Sequence, residues 1–191
     1  MKKMMMVLFA VMCLAQWIVP GKMVYDSENT IAGGTLYKFK TAPIDPSDPL
    51  RGKYVTLNFQ ENFFQFTDSA EWQRGDQIFV TFTTDSAGFA VPEQVYHTKP
   101  HAASYLETFV DYVDIYSDDY KVWYKLPFDR FYVEESKAQQ AEQLYWKAQR
   151  DSAQVAYALV SIGQGQAVLQ DVIINDRPII DIINALNKSA E

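Results

Sequence analysis

Cysteine is almost absent from this sequence, and the one that is present lies in a hydrophobic run. The 191 residues contain a single cysteine, Cys13. The rest of the chain can therefore form no intrachain disulfide and offers no thiolate as a zinc ligand or nucleophile. The only histidines, His97 and His101, are separated by Pro100, which disfavours a helix presenting both on one face. They are interpreted as surface or loop residues, and no metal or cofactor is predicted.

Clusters of basic residues are also missing, which bears on nucleic-acid binding. Lysine and arginine number 17 against 24 acidic residues, for a formal net charge of −7. Because the first 22 residues hold three lysines and no acidic residue, residues 23–191 carry −10. A body this acidic repels phosphate backbones, so nucleic acid is not an expected partner.

Sequence signatures of hydrolases are absent as well. The chain has no G-x-S-x-G, no S-x-x-K and no catalytic cysteine setting. Gly163-Gln164-Gly165 lacks the other features of a phosphate-binding loop and is interpreted as a hairpin turn. Arg130 with Glu134 and Glu135 could supply an acid–base pair, but glutamates in the first turn of a helix ordinarily interact with its dipole. No catalytic residue is assigned, and an enzyme is not the favoured interpretation.

The sequence does contain one long apolar run, residues 4–19, which follows Lys2 and Lys3. As a helix its sixteen residues would span about 24 Å, close to the ~30 Å of a bilayer's hydrocarbon core. The lysines before it predict a cytoplasmic N-terminus. A signal peptide cleaved after Ala15 and a buried core helix are the alternatives. We expect an anchor or uncleaved signal at 1–22, a linker at 23–34 and a single domain at 35–191.

Strand patterns dominate that domain. The predicted strands lie at 36–41, 54–66, 78–84, 89–96, 109–126 (a hairpin turning at 117–119), 155–162 and 167–174. Pro92 places 89–96 at a sheet edge. Helical spacing appears at 134–150 and again near the C-terminus. These patterns predict an α+β, β-dominated fold: a single antiparallel-sheet or barrel-like domain with one inserted amphipathic helix, a short C-terminal helix and one N-terminal transmembrane helix.

The densest polar cluster precedes the second strand. Asp45 and Asp48 each stand before a proline, and Arg51 follows them. Two carboxylates could form a cation or partner site, but calcium sites usually gather more oxygen ligands than these. The alternative is a turn whose acids accept bonds from backbone amides and pair with Arg51.

Gly52 then permits a sharp turn into a strand of alternating character. The period of two in a strand predicts that Tyr54, Thr56 and Asn58 share one face. By the same argument, the opposite face carries Val55, Leu57 and Phe59.

This segment resembles the motif of the GDYXXLXY family, small membrane-anchored bacterial proteins. The motif here is Gly52-Lys53-Tyr54-Val55-Thr56-Leu57-Asn58-Phe59, in which Lys53 replaces an aspartate and Phe59 a tyrosine. A later stretch at 128–135 resembles the family's R-F-V-E segment. The resemblance implies an extracytoplasmic domain, often encoded beside multi-spanning membrane proteins, and implies no activity. The positions that match the family pattern are Asp45, Asp48, Arg51, Gly52, Tyr54, Leu57, Phe59, Arg130, Phe131, Val133 and Glu134.

The functional hypothesis combines these features. We expect a single-pass protein of the bacterial cytoplasmic membrane, held by residues 4–19 in the lipid bilayer, whose outer domain is a non-enzymatic interaction module for a multi-spanning membrane protein. The alternatives are a small-ligand-binding or hydrolytic domain with a β-lined cleft, and secretion after signal cleavage. Aromatic residues form 15% of the chain and are mostly expected in the core, although not all of them need fit there. Exposed ones would mark a partner groove or a lipid-facing patch.

Overall fold

The computed structural model describes residues 2–42, 54–60, 62–66, 72–116, 119–151 and 153–190. Strand exceeds helix, 42% against 35%, which confirms the β-dominated α+β class. The helices are α1 (Lys2–Gly33), α2 (Glu135–Arg150) and α3 (Ile179–Ala190). The strands are β1 (Thr35–Ala42), β2 (Tyr54–Thr56), β3 (Asn58–Phe59), β4 (Phe63–Phe66), β5 (Gln77–Thr84), β6 (Ala90–Tyr96), β7 (Tyr105–Tyr116), β8 (Asp119–Tyr124), β9 (Arg130–Tyr132), β10 (Ala156–Ile162), β11 (Gln164–Gly165), β12 (Ala167–Ile174) and β13 (Arg177–Pro178).

Two larger sheets are joined into a nearly closed antiparallel sheet. The first has the order β13-β12-β10-β1-β3, and the second the order β4-β8-β7-β5-β6. β11 lies within the β10–β12 hairpin and pairs parallel to β7, with Gln164 opposite Tyr105, so this hairpin links the two sheets. β6 lies at the end of its sheet, as Pro92 predicts, because proline cannot donate to a ladder.

The stretch predicted as one strand at 54–66 forms three. β2 pairs with β9, β3 pairs with β1, and β4 pairs with β8. Alternating residues favour extended backbone throughout, but pairing with three different strands divides the segment. The hairpin at 109–126 has its expected arms in β7 and β8, while residues 117–118 of the predicted turn lie outside the described residues.

The two helices of the domain follow the predicted spacing. α2 buries Ala138, Ala141, Tyr145 and Ala148, the positions that the sequence predicts to share a face. α3 packs against α2 and buries Ile179 and Ile183, whereas Leu186, which continues the same spacing, is half exposed. The core therefore lies between the sheets and the apolar faces of these helices.

α1 is longer than the apolar run that it contains. Its 32 residues include Pro20, which costs one backbone hydrogen bond but does not end the helix. Residues 23–33, taken as linker from the sequence, are helical. Lys3–Gly33 is long and apolar enough to cross a membrane, and its large apolar side chains are exposed, Trp17 by 77%. The polar part after the run adds about 21 Å of helix.

The C-terminal end of α1 packs on the hairpin that links the sheets. Thr30 is buried there, and its hydroxyl lies 3.5 Å from the side-chain oxygen of Gln166. The backbone amide of Gly34 donates to the Thr30 carbonyl at 3.0 Å. A Cβ at Gly34 would come within 2.9 Å of the Ile162 carbonyl oxygen and closer still to that of Thr30. The helix can approach β10 this closely only because residue 34 has no side chain.

Gly34→Ala is expected to destabilise the full-length protein by about 1–3 kcal/mol, because both atoms that the new methyl meets belong to backbone. Gly33→Ala is the matched control, since a Cβ at Gly33 meets nothing within 4 Å. Urea unfolding in detergent micelles measures the difference, and limited proteolysis reports whether the junction opens. Equal stabilities for the two variants would show that the approach of helix and strand is not tight.

Candidate functional site

The two segments that match the family pattern pair with each other. β2 and β9 form a two-stranded antiparallel sheet, with Tyr54 opposite Tyr132, Val55 opposite Phe131 and Thr56 opposite Arg130. The backbone amide of Leu57 extends the pairing by donating to the Asp129 carbonyl at 2.8 Å. Segments far apart in the sequence thus become one structural unit.

The inner face of this unit is apolar and buried. Val55 is fully buried, and Leu57, Phe59 and Phe131 are each less than one-tenth exposed. The alternation predicted for residues 54–59 is therefore confirmed, because Thr56 and Asn58 are exposed and Tyr54 is half-buried. These matched positions on the inner face pack in the core, so only the outer face of the unit is accessible to solvent.

The outer face carries an arginine beside two tyrosines, here called the Tyr54–Arg130–Tyr132 patch. The guanidinium carbon of Arg130 lies 5.0 Å from the centre of the Tyr54 ring, and the Tyr54 and Tyr132 rings are 5.7 Å apart. Tyr132 is 67% exposed. The hydrogen bond with the Tyr132 side chain is the main reason that the pKa of Arg130 is raised, followed by Tyr54 and Asp129. The patch presents a permanent cation framed by aromatic rings.

α2 supports the patch from behind. It packs against β2, and its Tyr145 is fully buried. Burial raises the pKa of Tyr145 to about 12. Among the described residues its hydroxyl has no hydrogen bond of acceptable geometry, although the Thr41 and Gln149 side chains and the Asn58 backbone lie close enough to moderate that pKa.

Glu134 marks the start of this helix. Its carboxylate lies 3.3 Å from the Lys137 ammonium, and the side chains of Ser136 and then Lys137 lower its pKa. It is exposed, as are Glu135 and Arg130, while Val133 is half-buried. Arg130 lies 3.8 Å from the Asp129 carboxylate. These contacts favour the helix-start interpretation of Glu134 over an acid–base role.

Four predicted residues lie outside the described residues: Asp45, Asp48, Arg51 and Gly52. Both interpretations of the Asp45–Arg51 cluster, a cation or partner site and a turn, remain predictions. Within the described ranges, no group of three or more histidine, cysteine, aspartate and glutamate residues could hold a metal ion.

The remaining sequence candidates occupy turns and loops. His97 follows β6 directly, and its imidazole stacks on Trp72 with ring centres 3.7 Å apart. His101 is an exposed loop residue. Gly163-Gln164-Gly165 connects β10 and β12 with Gly165 at a φ of 95°, so the predicted hairpin is confirmed.

Sequence reasoning missed the exposed aromatics. Phe59, Phe64, Phe79 and Phe82 are buried, as expected of most aromatic residues. Outside α1, the large aromatic side chains that are exposed among the described residues are those of Phe109, Tyr112 and Tyr132. Tyr132 stands two residues after Arg130 in a strand, so the period of two could have placed both on one outer face.

These features define a small protein with an apolar N-terminal helix and a strand-rich domain built around a paired motif. The chain belongs to the GDYXXLXY family: the family described as GDYXXLXY protein matches residues 16–172, most of the chain. The family's name describes the motif and specifies no activity. Comparisons with curated proteins and with solved structures give no match.

Tyr145→Phe is expected to remove part of the alkaline destabilisation of the protein. In the folded protein Tyr145 has a raised pKa. It therefore keeps its proton at pH values where the same tyrosine in the unfolded chain, with a pKa near 10, has lost it. The contribution of Tyr145 to the free energy of unfolding is therefore complete below pH 10 and falls by up to about 2–3 kcal/mol as the pH rises to 12.

Urea unfolding of the full-length protein between pH 8 and pH 11 measures this difference. Tyr132→Phe is the control, because that tyrosine is largely exposed. Parallel stability curves for the Tyr145→Phe variant and the unsubstituted protein would contradict the prediction.

Proposed function

We propose that this chain is a membrane-anchored protein whose domain lies outside the cytoplasm and serves as a non-enzymatic interaction module for a multi-spanning membrane protein. The Tyr54–Arg130–Tyr132 patch is the proposed contact surface. The observation that carries the proposal is the exposure of this patch on the outer face of the one unit that both motif segments build.

Anchoring and orientation rest on α1. From the apolar run, α1 continues as far as the domain, and α1 as a whole passes the length and composition required of a membrane span. Lys2 and Lys3 stand before the run, which favours a cytoplasmic N-terminus and an outer domain. Lipid contacts would come from residues 4–19. Cleavage of the run as a signal peptide would release the same domain in soluble form.

The chemistry of the patch supports a protein partner. Tyrosine and arginine are enriched among residues that dominate binding energy at protein interfaces. The patch is held by buried Val55 and Phe131 directly beneath it, so little conformational entropy is lost when a partner binds. An exposed arginine favours an acidic or carbonyl-rich surface on that partner. Tethering confines the encounter to the membrane plane and raises the effective concentration.

The alternative, a small-ligand-binding or hydrolytic domain, has less support. A cleft of about 290 Å³ lies between β4 and β6 and is lined by Phe64, Gln65 and residues 92–96. Ligand pockets usually measure about 300–1,000 Å³. The residues that line this cleft include one carboxylate, that of Glu93, and none of the motif positions.

Labelling of single cysteines tests the orientation. In a chain carrying Cys13→Ser and Ser189→Cys, the new thiol is expected to react with a membrane-impermeant maleimide in intact cells. The unsubstituted chain is the control, since its one thiol lies in the apolar run and should react only after denaturation. Intact mass distinguishes a retained anchor from a cleaved one. Labelling of the Ser189→Cys chain only after permeabilisation would reverse the proposed orientation.

Site-specific photo-crosslinking tests the contact surface. A photoreactive residue at Tyr132 is expected to capture a multi-spanning membrane protein, and Arg130→Ala should lower the yield about tenfold, the effect typical of an interface arginine. The same residue placed at Tyr112 is the control, because Tyr112 is 46% exposed on a different sheet. Equal capture at both positions, or capture that is insensitive to Arg130→Ala, would exclude the patch as the interface.

A further inference from the structure

A cleft lies where α1 meets the domain. It measures about 500 Å³, within the ~300–1,000 Å³ of ligand pockets. On one side it is lined by Lys22, Asp26, Asn29 and Thr30 of α1, and on the other by Gln164 and Gln166 of the β10–β12 hairpin. None of these residues belongs to the Tyr54–Arg130–Tyr132 patch, so the cleft is a separate feature.

The helix repeat and three glycines create this space. Residues 22, 26, 29, 30 and 33 recur at intervals of three and four, which places them on one face of α1. Gly33, Gly34 and Gly163 line the cleft without side chains, so the helix and the hairpin meet while a polar recess remains beside the contact. The polar face of α1 near its C-terminal end therefore forms one wall of the cleft.

The distance between the cleft and the apolar run determines which layer of the bilayer the cleft would face. Lys22 stands three residues after Val19, about 4.5 Å farther along the helix axis. The headgroup layer on each side of the hydrocarbon core is about 5–7 Å thick. With residues 4–19 in the bilayer, the lower rim of the cleft lies among lipid headgroups, which are present there at very high local concentration.

The charged pair at this rim is complementary to a zwitterion. The Lys22 ammonium donates a hydrogen bond to the Asp26 carboxylate, and their side chains are 72% and 26% exposed. An exposed i, i+4 pair contributes little free energy, so either partner can be redirected to a ligand at small cost. Lys22 can then bind a phosphate, and Asp26 can accept hydrogen bonds from an ammonium.

The same chemistry discriminates among headgroups. A primary ammonium donates three hydrogen bonds, whereas a trimethylammonium donates none. A headgroup that carries only a phosphate charge would leave Asp26 without a partner and would face the repulsion of a body with a net charge of −10. The side-chain amides of Asn29, Gln164 and Gln166 add hydrogen-bonding capacity for phosphate and glycerol oxygens.

We propose that this cleft binds the aminoethyl phosphate headgroup of a phospholipid, with Lys22 on the phosphate and Asp26 on the primary ammonium. The inference rests on the anchoring part of the proposed function. The ligand proposed for the cleft is thus a lipid of the bilayer and not a protein partner.

Lipid retention by the full-length protein tests the proposal. The protein is reconstituted in nanodiscs that contain phosphatidylethanolamine, phosphatidylcholine and phosphatidylglycerol in equal amounts, and the lipids kept after release are identified by native mass spectrometry. We expect phosphatidylethanolamine to be enriched about tenfold over phosphatidylcholine, the scale of one charged hydrogen bond. Asp26→Asn should abolish this preference, and Lys22→Gln should lower retention of both lipids. Lys188→Gln, at an exposed lysine of α3, is the matched control.

Added glycerophosphoethanolamine distinguishes a lipid from a soluble ligand of the same chemistry. Competition by this compound together with lipid enrichment supports the site. Competition without enrichment assigns the cleft to a soluble aminophosphate and overturns the lipid proposal. Equal retention of the lipids, or enrichment that survives Asp26→Asn, overturns it as well. A chain that fails to enter nanodiscs overturns the anchoring and the headgroup site together, whereas loss of selectivity in an inserted chain overturns the headgroup site alone.

Discussion

The packing of Phe39 is the contact on which the motif unit depends. Its ring lies 6.0 Å from that of Phe59, 5.2 Å from that of Phe82 and 5.0 Å from that of Phe128, in tilted or edge-to-face arrangements. Phe59 follows β2 and Phe128 precedes β9, so the two strands of the motif are held against the same ring. Edge-to-face packing has a preferred geometry, which makes the cluster directional as well as apolar.

The position of the Tyr54–Arg130–Tyr132 patch depends on this aromatic cluster. Strand alternation turns Val55 and Phe131 inward, and the same alternation turns Tyr54, Arg130 and Tyr132 outward. A domain of β strands with a polar, acidic exterior would otherwise offer few rigid surface features. Here the pairing of two short strands places a cation 5.0 Å from the centre of the Tyr54 ring, and the buried residues beneath the strands support that arrangement.

Local periodicity accounts for the parts of the fold that the sequence predicts well. The buried face of α2 and the alternation of residues 54–59 follow directly from repeats of 3.6 and 2 residues. The pairing of β2 with β9 was out of reach because a single sequence carries no information about which distant strands are neighbours. Leu186 shows where periodicity alone gives the wrong burial. Its helical spacing continues the apolar face of α3, but its side chain is half exposed near the end of that helix.

The continuity of α1 has a mechanical consequence. In the proposed anchored state, a helix that continues from the apolar segment into a close contact with β10 would set the height and orientation of the domain relative to the bilayer through its helical phase. One residue inserted between 23 and 33 would turn the domain by about 100° and lift it by about 1.5 Å. A flexible tether would absorb such a change. With a continuous helix the domain would turn instead, so the proposed binding would depend on the number of residues between anchor and domain as well as on the side chains of the patch.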